Sequence, residues 1–191
     1  MSVVDVGAKP LIAGERMTRE EFIGRWELLP GVRRAELVGG IVYLPSPVSR
    51  SHSAGLRETL RWLSHYELAT PGCELLPEAS WLMLGDVPQP DVSLRIRPEF
   101  GGQSGNRGNL AAGAPELVVE VSITSEPVDL GVKKSLYQRA GVLEYIIVTG
   151  SEVIWHRRER DRYVGEPSGP EGVHRSAVFP GLWLDPQALV A

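Results

Sequence analysis

The 191-residue sequence contains a single cysteine, Cys73. One cysteine cannot form an internal disulfide, so the chain is not one of the small secreted folds that disulfides stabilise. Four scattered histidines and one cysteine also cannot supply a Cys/His zinc site. The first residues lack a cationic segment followed by a long apolar run, and no run reaches the ~20 apolar residues of a membrane span. These absences predict a soluble cytoplasmic protein without a membrane partner.

Lysine is almost as scarce as cysteine. Of the 20 basic side chains only three are lysines, namely Lys9, Lys133 and Lys134. The net charge of −4 gives no global attraction to nucleic acid, so any contact with a polyanion must be local. The densest basic run, residues 157–162, is typical of a solvated strand edge, with phosphate contact as the alternative. Two adjacent lysines in a chain that otherwise uses arginine indicate a chemical need for a compact ammonium group.

Apolar spacing and capping residues predict three main helices. TREEFIGRWELL begins with a capping box formed by Thr18 and Glu21. SRSHSAGLRETLRWLSHYEL begins at Ser49, which could cap it, and has leucines at helical spacing. DLGVKKSLYQRAGV ends at Gly141, a residue type that commonly stops helices.

Strands are predicted between these helices. RRAELVGGIVYLP indicates a hairpin with a two-residue turn at Gly39–Gly40, and EYIIVTGSEVIWHRRE indicates a second hairpin. ELLPEASWLML, QPDVSLRIR and PELVVEVSI are also strand-like, and the remainder after the second hairpin, through HRSAVFPGLWL, should complete an antiparallel edge. The glycine-rich residues 98–114 predict a mobile loop. This order predicts a single mixed α/β or α+β domain at 18–191, after an N-terminal arm at 1–17.

One acid interrupts the most apolar of these strands. Glu120 stands in PELVVEVSI, whose composition is that of a strand covered on both faces. A lone carboxylate is costly to remove from water, so Glu120 needs partners. Asp91 begins another strand after Gln89, and the two acids could meet on one sheet. A divalent cation between them would remove their repulsion, and Mg²⁺ is typically held by one or two carboxylates with waters and phosphates.

Two further residues could complete such a site. Lys133 could hold an attacking water or neutralise charge on a phosphate, for which a compact ammonium suits better than a guanidinium. Glu36, an acid between apolar neighbours in the first hairpin, could extend the metal or water network.

The same segments resemble a known group of proteins. RAELVGGIVYLPSP, His52 after it, QPDVSL, PELVVEVS and DLGVKKSLYQRAGVLEYIIV look like a large bacterial family of proposed endonucleases, long catalogued only as a domain of unknown function. That family is similar in fold to the PD-(D/E)xK restriction endonucleases. The resemblance covers roughly residues 20 to 185. It implies a restriction endonuclease-like core, with a central mixed sheet flanked by helices and with an N-terminal helix and β-hairpin.

The resemblance also implies roles for particular residues. Asp91 and Glu120 match the two metal-binding acids, and the backbone carbonyl of Val121 would be a further ligand of Mg²⁺, for which Mn²⁺ should substitute. The lysine that usually lies two residues after the second acid is replaced here by Ser122. In the resembling family this lysine moves to the following helix, which corresponds to Lys133.

Other positions of the family pattern are matched less evenly. Glu36 corresponds to an acid near the start of the nuclease core, and Gln89 fits the Gln-Pro-Asp form of the first motif. The acidic-Gly-acidic stretch that commonly follows Glu-Leu-Val is Gly39-Gly40-Ile41 here, which departs from the family.

Each candidate also has a purely structural interpretation. Glu120 could form an ion pair with a neighbouring arginine, and Lys133 could form a surface pair with Asp129, four residues earlier on the same helix. Lys134 could take the catalytic place of Lys133. His52 could be a cap or core residue as well as a substrate contact.

The sequence therefore favours a Mg²⁺-dependent endonuclease that hydrolyses DNA phosphodiester bonds with an activated water. A catalytically inactive nuclease-fold module that binds nucleic acid or protein is the alternative. A carboxylate-pair hydrolase such as a glycosidase has less support. A homodimer would suit cutting both strands of a two-fold symmetric duplex.

Overall fold

The computed structural model describes residues 9–32, 34–44, 47–123 and 125–189. Its helices are α1 (Arg19–Glu27), α2 (Arg50–Ala69), α3 (Glu126–Val128) and α4 (Lys134–Ala140), with a π-helical segment, Asp129–Lys133, joining the last two. Its strands are β1 (Glu36–Val38), β2 (Ile41–Tyr43), β3 (Cys73–Pro77), β4 (Trp81–Leu82), β5 (Val92–Ile96), β6 (Gly105–Arg107), β7 (Leu110–Ala112), β8 (Leu117–Val121), β9 (Glu144–Val148), β10 (Val153–Glu159), β11 (Arg162–Gly165), β12 (His174–Arg175) and β13 (Trp183–Leu184). Short 3₁₀ turns lie at Pro98–Phe100 and Pro186–Ala188.

The central sheet of the described chain has six strands in the order β11-β10-β9-β8-β5-β3. β8 and β9 are parallel, and all other neighbours are antiparallel. The parallel pair is connected by the helical segment from α3 to α4, as parallel strands require a crossover. The predicted mixed α+β fold with a central mixed sheet is confirmed.

Helices cover both faces of this sheet. α2 lies on one face, where Leu63 packs with Val119 and Val121. The approach is close, since a Cβ atom at Gly55 of α2 would stand 2.9 Å from Val121 Cγ1. α4 lies on the other face, where Leu136 packs with the opposite-facing residues of β8 and β9. β8 is therefore buried on both faces, which explains its nearly continuous apolar sequence.

The N-terminal part follows its local sequence signals. The Thr18 hydroxyl caps α1 by accepting the Glu21 N–H, as predicted. Gly39 and Gly40 have φ angles of 62° and 69°, the left-handed values that a two-residue hairpin turn needs between β1 and β2. The Asp86 carboxylate accepts both glycine N–H groups at 3.0 Å. The hairpin is thus held by a residue far along the chain.

Residues 9–17 run beside this hairpin. The Met17 N–H donates to the Gly40 carbonyl at 3.0 Å, and Leu11 and Met17 join an apolar cluster with Phe22. Residues 1–8 of the predicted arm lie outside the described residues. The boundary between an arm at 1–17 and a domain at 18–191 stays a prediction.

One sequence prediction is wrong. Residues 98–114, expected to be a mobile loop, contain the hairpin β6–β7, and β7 also pairs with β4. Glycine content indicates turns but does not reveal such long-range strand pairing. The remainder of the chain after the second hairpin does complete an antiparallel edge, because β11 pairs with β10 at the edge of the central sheet, whereas β12 and β13 pair with each other. Among the described residues, no helix is long and apolar enough to cross a membrane.

Candidate active site

Asp91 and Glu120 meet where β5 and β8 run side by side. Val92 pairs with Val119, which puts Asp91 across from Glu120. The Asp91 N–H lies 3.4 Å from Glu120 Oε2, and the Val121 N–H donates to Asp91 Oδ2 at 2.8 Å. The two acids are 5% and 3% exposed. The sheet thus brings together two carboxylates that lie 29 positions apart in the chain.

Lys133 supplies the ammonium group at this site. Its Nζ lies 2.9 Å from Glu36 Oε1, 3.0 Å from Glu120 Oε1 and 3.8 Å from Asp129 Oδ1. Lys133 is 5% exposed, so its contact with Asp129 is not a surface pair. Lys134 is half-buried, and its charge acts instead on His156 of β10. Of the two adjacent lysines, the structure therefore brings Lys133 to the acids.

The π-helical segment places Lys133 and Asp129 on the same buried side. Both residues are buried, although a helix that lies on a sheet normally keeps its charged residues outward. The Tyr145 hydroxyl donates to the Asp129 backbone carbonyl at 3.0 Å, and the Ser125 hydroxyl donates to the Asp129 carboxylate. Single π-helical turns inside α-helices occur frequently at functional sites. Here the wider turn directs a lysine and an acid into the site.

Glu36, the first residue of β1, closes the other side of the ammonium group. Its Oε1 accepts from Lys133 and also from the Gln89 N–H at 2.6 Å. The Gln89 side chain donates from Nε2 to the Glu78 carbonyl at 2.6 Å. Gln89 Oε1 is buried without a hydrogen-bond partner in the described chain. Gln89 therefore links the first hairpin to the strand of Asp91.

Three contacts of the two acids were missed by sequence reasoning. The Tyr137 hydroxyl donates to Glu120 Oε1 at 2.7 Å, and among the described residues the ion-pair partner of this acid is Lys133 and not an arginine. His52 Nε2 lies 3.2 Å from Asp91 Oδ2, and an Arg34 guanidinium nitrogen lies 3.4 Å from Asp91 Oδ1. The four-residue spacing from Lys133 to Tyr137 signals one helix face. Nothing local to Arg34 indicates its contact.

The site holds more negative charge than its cations balance. Burial raises the pKa of Glu120 well above its ordinary value; the charge of Lys133 opposes this shift, whereas Asp129, Asp91 and Glu36 add to it. Burial by itself lowers the pKa of Lys133, but Glu120, Glu36 and Asp129 together raise it above its ordinary value. Lys133 is therefore firmly protonated.

Asp91 behaves differently from Glu120. Burial acts to raise its pKa, but the hydrogen bond from His52, the Val121 N–H and the charge of Lys133 bring the pKa below the ordinary value. The hydrogen bond with Asp91 in turn raises the pKa of His52. The pair thus combines an ionised acid with one that is costly to ionise.

Asp91, Glu120, Glu36, Asp129 and Lys133 form the floor of a cleft of about 310 Å³. Within the described residues, no group of three or more His, Cys, Asp or Glu side chains is placed to share one metal ion. A cation held by two carboxylates would therefore need backbone oxygen and water as well, which is coordination that Mg²⁺ accepts. The Val121 N–H faces Asp91, and the C=O of a strand residue points to the same side as its N–H. The hard oxygen donors and the excess negative charge fit Mg²⁺.

The fold and the acidic cleft with its lysine define a restriction endonuclease-like protein, and comparison with known proteins agrees. Residues 19–187 match a family model, Uma2, described as "Putative restriction endonuclease". The chain belongs to this family, which confirms the predicted resemblance and supports a nuclease function. No curated protein matches the chain significantly.

A solved structure shows the same fold. It comes from Anabaena variabilis ATCC 29413 and is described as "a putative nuclease belonging to DUF820". The TM-score is 0.69, with 17% sequence identity over 91% of this chain and 97% of that chain. At this identity the likeness concerns the fold.

Proposed function

We propose that the protein is a Mg²⁺-dependent endonuclease that hydrolyses DNA phosphodiester bonds. The observation that carries the proposal is the buried meeting of Asp91 and Glu120 with the ammonium group of Lys133 at 3.0 Å from Glu120. Ser122 occupies the place where the superfamily usually has its lysine, and Lys133 supplies the missing cation from the following helix. Membership of a family described as "Putative restriction endonuclease" supports the reaction class.

Each residue of the site has a distinct part in this proposal. Asp91, Glu120 and the Val121 carbonyl would hold Mg²⁺, which when bound polarises a phosphoryl oxygen and lowers the pKa of a water. Tyr137 and Lys133 both donate hydrogen bonds to Glu120 Oε1, which leaves the other oxygen, Oε2, directed toward Asp91. Lys133 would orient the attacking water and offset charge that develops on the phosphate.

Glu36 would assist by holding Lys133. Its 2.9 Å contact keeps the ammonium between the two acids, so the lysine stays in place even when a cation takes up part of the Glu120 charge. The water would attack phosphorus directly, without a covalent enzyme intermediate.

Plasmid nicking tests this proposal. With Mg²⁺ or Mn²⁺ the purified protein should convert supercoiled DNA to nicked circles, and Asp91→Ala should lower the rate by about 10²–10³-fold or more, the usual cost of losing a group that stabilises the transition state. Lys133→Met should cause a comparable loss, while its neighbour Lys134→Met is the matched control. Equal rates for the wild type and Asp91→Ala would refute the proposal.

Metal binding separates this function from the inactive nuclease-fold module. An endonuclease should bind Mn²⁺ at a saturable site that is lost in Asp91→Ala and in Glu120→Gln, as measured by electron paramagnetic resonance. The module predicts no site that depends on these acids.

A homodimer is a further part of the proposal, because cutting both strands of a symmetric duplex requires two sites. Sedimentation should then give twice the 20.9 kDa chain mass. A monomer would nick one strand in each encounter.

A further inference from the structure

One wall of the cleft is apolar, although its floor carries acids. The wall consists of Tyr43, Leu44, Pro47, Val48 and Val128. It comes from the end of β2, the segment before α2, and α3, which are separate parts of the chain. Leu44 and Val48 are 38% and 54% exposed, although apolar side chains gain by leaving water. An exposed apolar wall beside a charged floor indicates a ligand that has both an apolar and a charged part.

Cations are scarce around the same cleft. Among its described lining residues, Arg34 is the single arginine, and it already pairs with Glu78 at 2.9 Å. Lys133 lies buried among the acids. A protein that holds a DNA duplex places many Lys and Arg side chains against the phosphates on its outer surface. The part of this lining that the structure describes has no such row of cations.

The shape and chemistry of the cleft fit a nucleotide better than a double helix. A volume of about 310 Å³ is at the small end of the ~300–1,000 Å³ range of clefts that enclose a small ligand. A duplex keeps the faces of its bases stacked inside and offers phosphates, sugars and base edges to a protein. The apolar wall would then face only sugar carbons and thymine methyl groups, and not the flat face of a base. An unpaired base offers its face, which stacks on aromatic and apolar side chains.

We infer that the substrate is DNA in which the strand is unpaired at the cleavage point. One base lies against the wall formed by Tyr43, Leu44 and Val48, and the adjoining phosphate reaches the floor at Asp91 and Glu120. This inference rests on the proposed function and adds the substrate class. It also explains how an acidic protein with few cations at its cleft can hold DNA, because stacking replaces part of the ionic attraction.

Binding without cleavage tests the inference independently of activity. Fluorescence anisotropy with the Lys133→Met variant should show a short labelled single strand binding about tenfold or more tightly than the same strand in a duplex, both in EDTA and in Mg²⁺. The double change Leu44→Ser with Val48→Ser should weaken single-strand binding by about tenfold, in the range for one lost base-stacking contact, and leave duplex binding unchanged.

Leu68→Ser is the matched control for that double change. Leu68 is 85% exposed on α2 and is not part of the cleft lining, so the same loss of apolar surface should leave single-strand binding unchanged. If the Lys133→Met protein without these changes binds the duplex as tightly as the single strand, or more tightly, the inference is overturned. Equal weakening by Leu68→Ser would overturn it as well, because the effect would not belong to the wall.

Cleavage of three matched substrates distinguishes this inference from the proposed function. The wild type with Mg²⁺ should cut a single strand and a duplex that contains an unpaired bubble, the latter within the bubble, at least about tenfold faster than the intact duplex. If the intact duplex is cut as fast, the inference is overturned and the nuclease function stands. If none of the three is cut, the proposed function fails, and the binding measurements alone decide the inference.

Discussion

Two pairs of acids are buried at opposite ends of β8. Toward its carboxyl end, Glu120 lies in a cleft with Asp91, which precedes the antiparallel neighbour β5, and Glu120 relies on Lys133 and a tyrosine hydroxyl. At its amino end, Glu116 accepts the N–H groups of Ile96 and Gln103 at 2.8 and 2.9 Å. Glu144 there accepts the Ala177 N–H and the Ser176 hydroxyl at 2.8 and 2.6 Å.

The difference shows that burial of an acid does not by itself indicate a functional site. Glu116 and Glu144 have both carboxylate oxygens bonded to neutral donors, from the end of β5 and from the segments at Gln103 and at residues 176–177, so their role is to hold those segments on the sheet. Glu120 instead shares one ammonium with two other acids and faces a cleft. Only this second arrangement leaves negative charge for a bound cation to neutralise.

The largest expected effect is the difference in stability between two matched Glu→Gln changes, one at each end of β8. In Glu116→Gln the amide NH₂ must face a backbone N–H, so a buried donor loses its acceptor, and the free energy of unfolding should fall by ~2–3 kcal/mol. Glu120→Gln should change it by less than ~1 kcal/mol, because the amide oxygen still accepts from Tyr137 and the repulsion from nearby acids is removed. The one backbone N–H that the amide NH₂ would face, that of Asp91, lies at 3.4 Å, so only a weak contact is lost. Urea unfolding at neutral pH measures both.

The exposed Glu99→Gln serves as a control that should leave stability unchanged. A large loss of stability in Glu120→Gln with none in Glu116→Gln would reverse the comparison. Nuclease activity should follow the opposite order, being lost in Glu120→Gln and kept in Glu116→Gln at temperatures where the protein is folded.

His156 offers a third case, a buried titratable group with no hydrogen-bond partner on either ring nitrogen in the described chain. Its ring stacks beside those of Tyr145 and Tyr163, at centroid distances of 6.4 and 5.8 Å, and the two tyrosine rings also stack on each other. Burial, helped by the charge of Lys134, lowers the pKa of His156 from its ordinary value of 6.5 to about 4. The unfolded state therefore binds more protons than the folded state between pH 6.5 and 4. The free energy of unfolding should decrease by roughly 2 kcal/mol as the pH is lowered through that window.

Urea unfolding at pH 7.5 and at pH 5 checks this prediction. His156→Phe keeps the aromatic stack and removes the titrating group, so it should lose most of the pH dependence. If the wild type and this variant lose the same stability on acidification, His156 is not the responsible group, and the acids of the cleft would have to account for the change.

The smallest expected effect concerns the hydroxyl that orients Glu120. Tyr137→Phe removes the 2.7 Å hydrogen bond to Oε1, and the affinity for Mn²⁺ should fall by about tenfold, as for other groups that orient metal ligands. Tyr163→Phe is the matched control, because its hydroxyl donates to the Val142 carbonyl at 3.0 Å, away from the acids. Titration of Mn²⁺ should distinguish them, and equal affinities would assign Tyr137 a purely structural role.

The parts of the fold that sequence reasoning predicted depend on neighbours within a few residues. The Thr18 cap, the Gly39–Gly40 turn and the Ser49 cap of α2 are set by local hydrogen bonds and by φ angles, so short motifs reveal them. Glu120 was predictable because an acid within an apolar strand conflicts with its surroundings. The hairpin at 105–112 was missed although its turn at Gly108–Asn109 is local, because its strands are short and lack an apolar alternation, and because its pairing with β4 joins residues that lie far apart in the chain.

By itself, the sequence determined that a carboxylate would be buried in β8 and that an unusual lysine would follow on a helix, because composition and period are local properties. The tertiary structure alone decided that Asp91 stands across from Glu120, that a π-helical turn directs Lys133 rather than Lys134 inward, and that Arg34 and His52 reach Asp91. It also decided which buried acids are satisfied by backbone N–H groups and which face a cleft. These outcomes depend on strand register and on the close packing of distant segments, which local patterns do not encode.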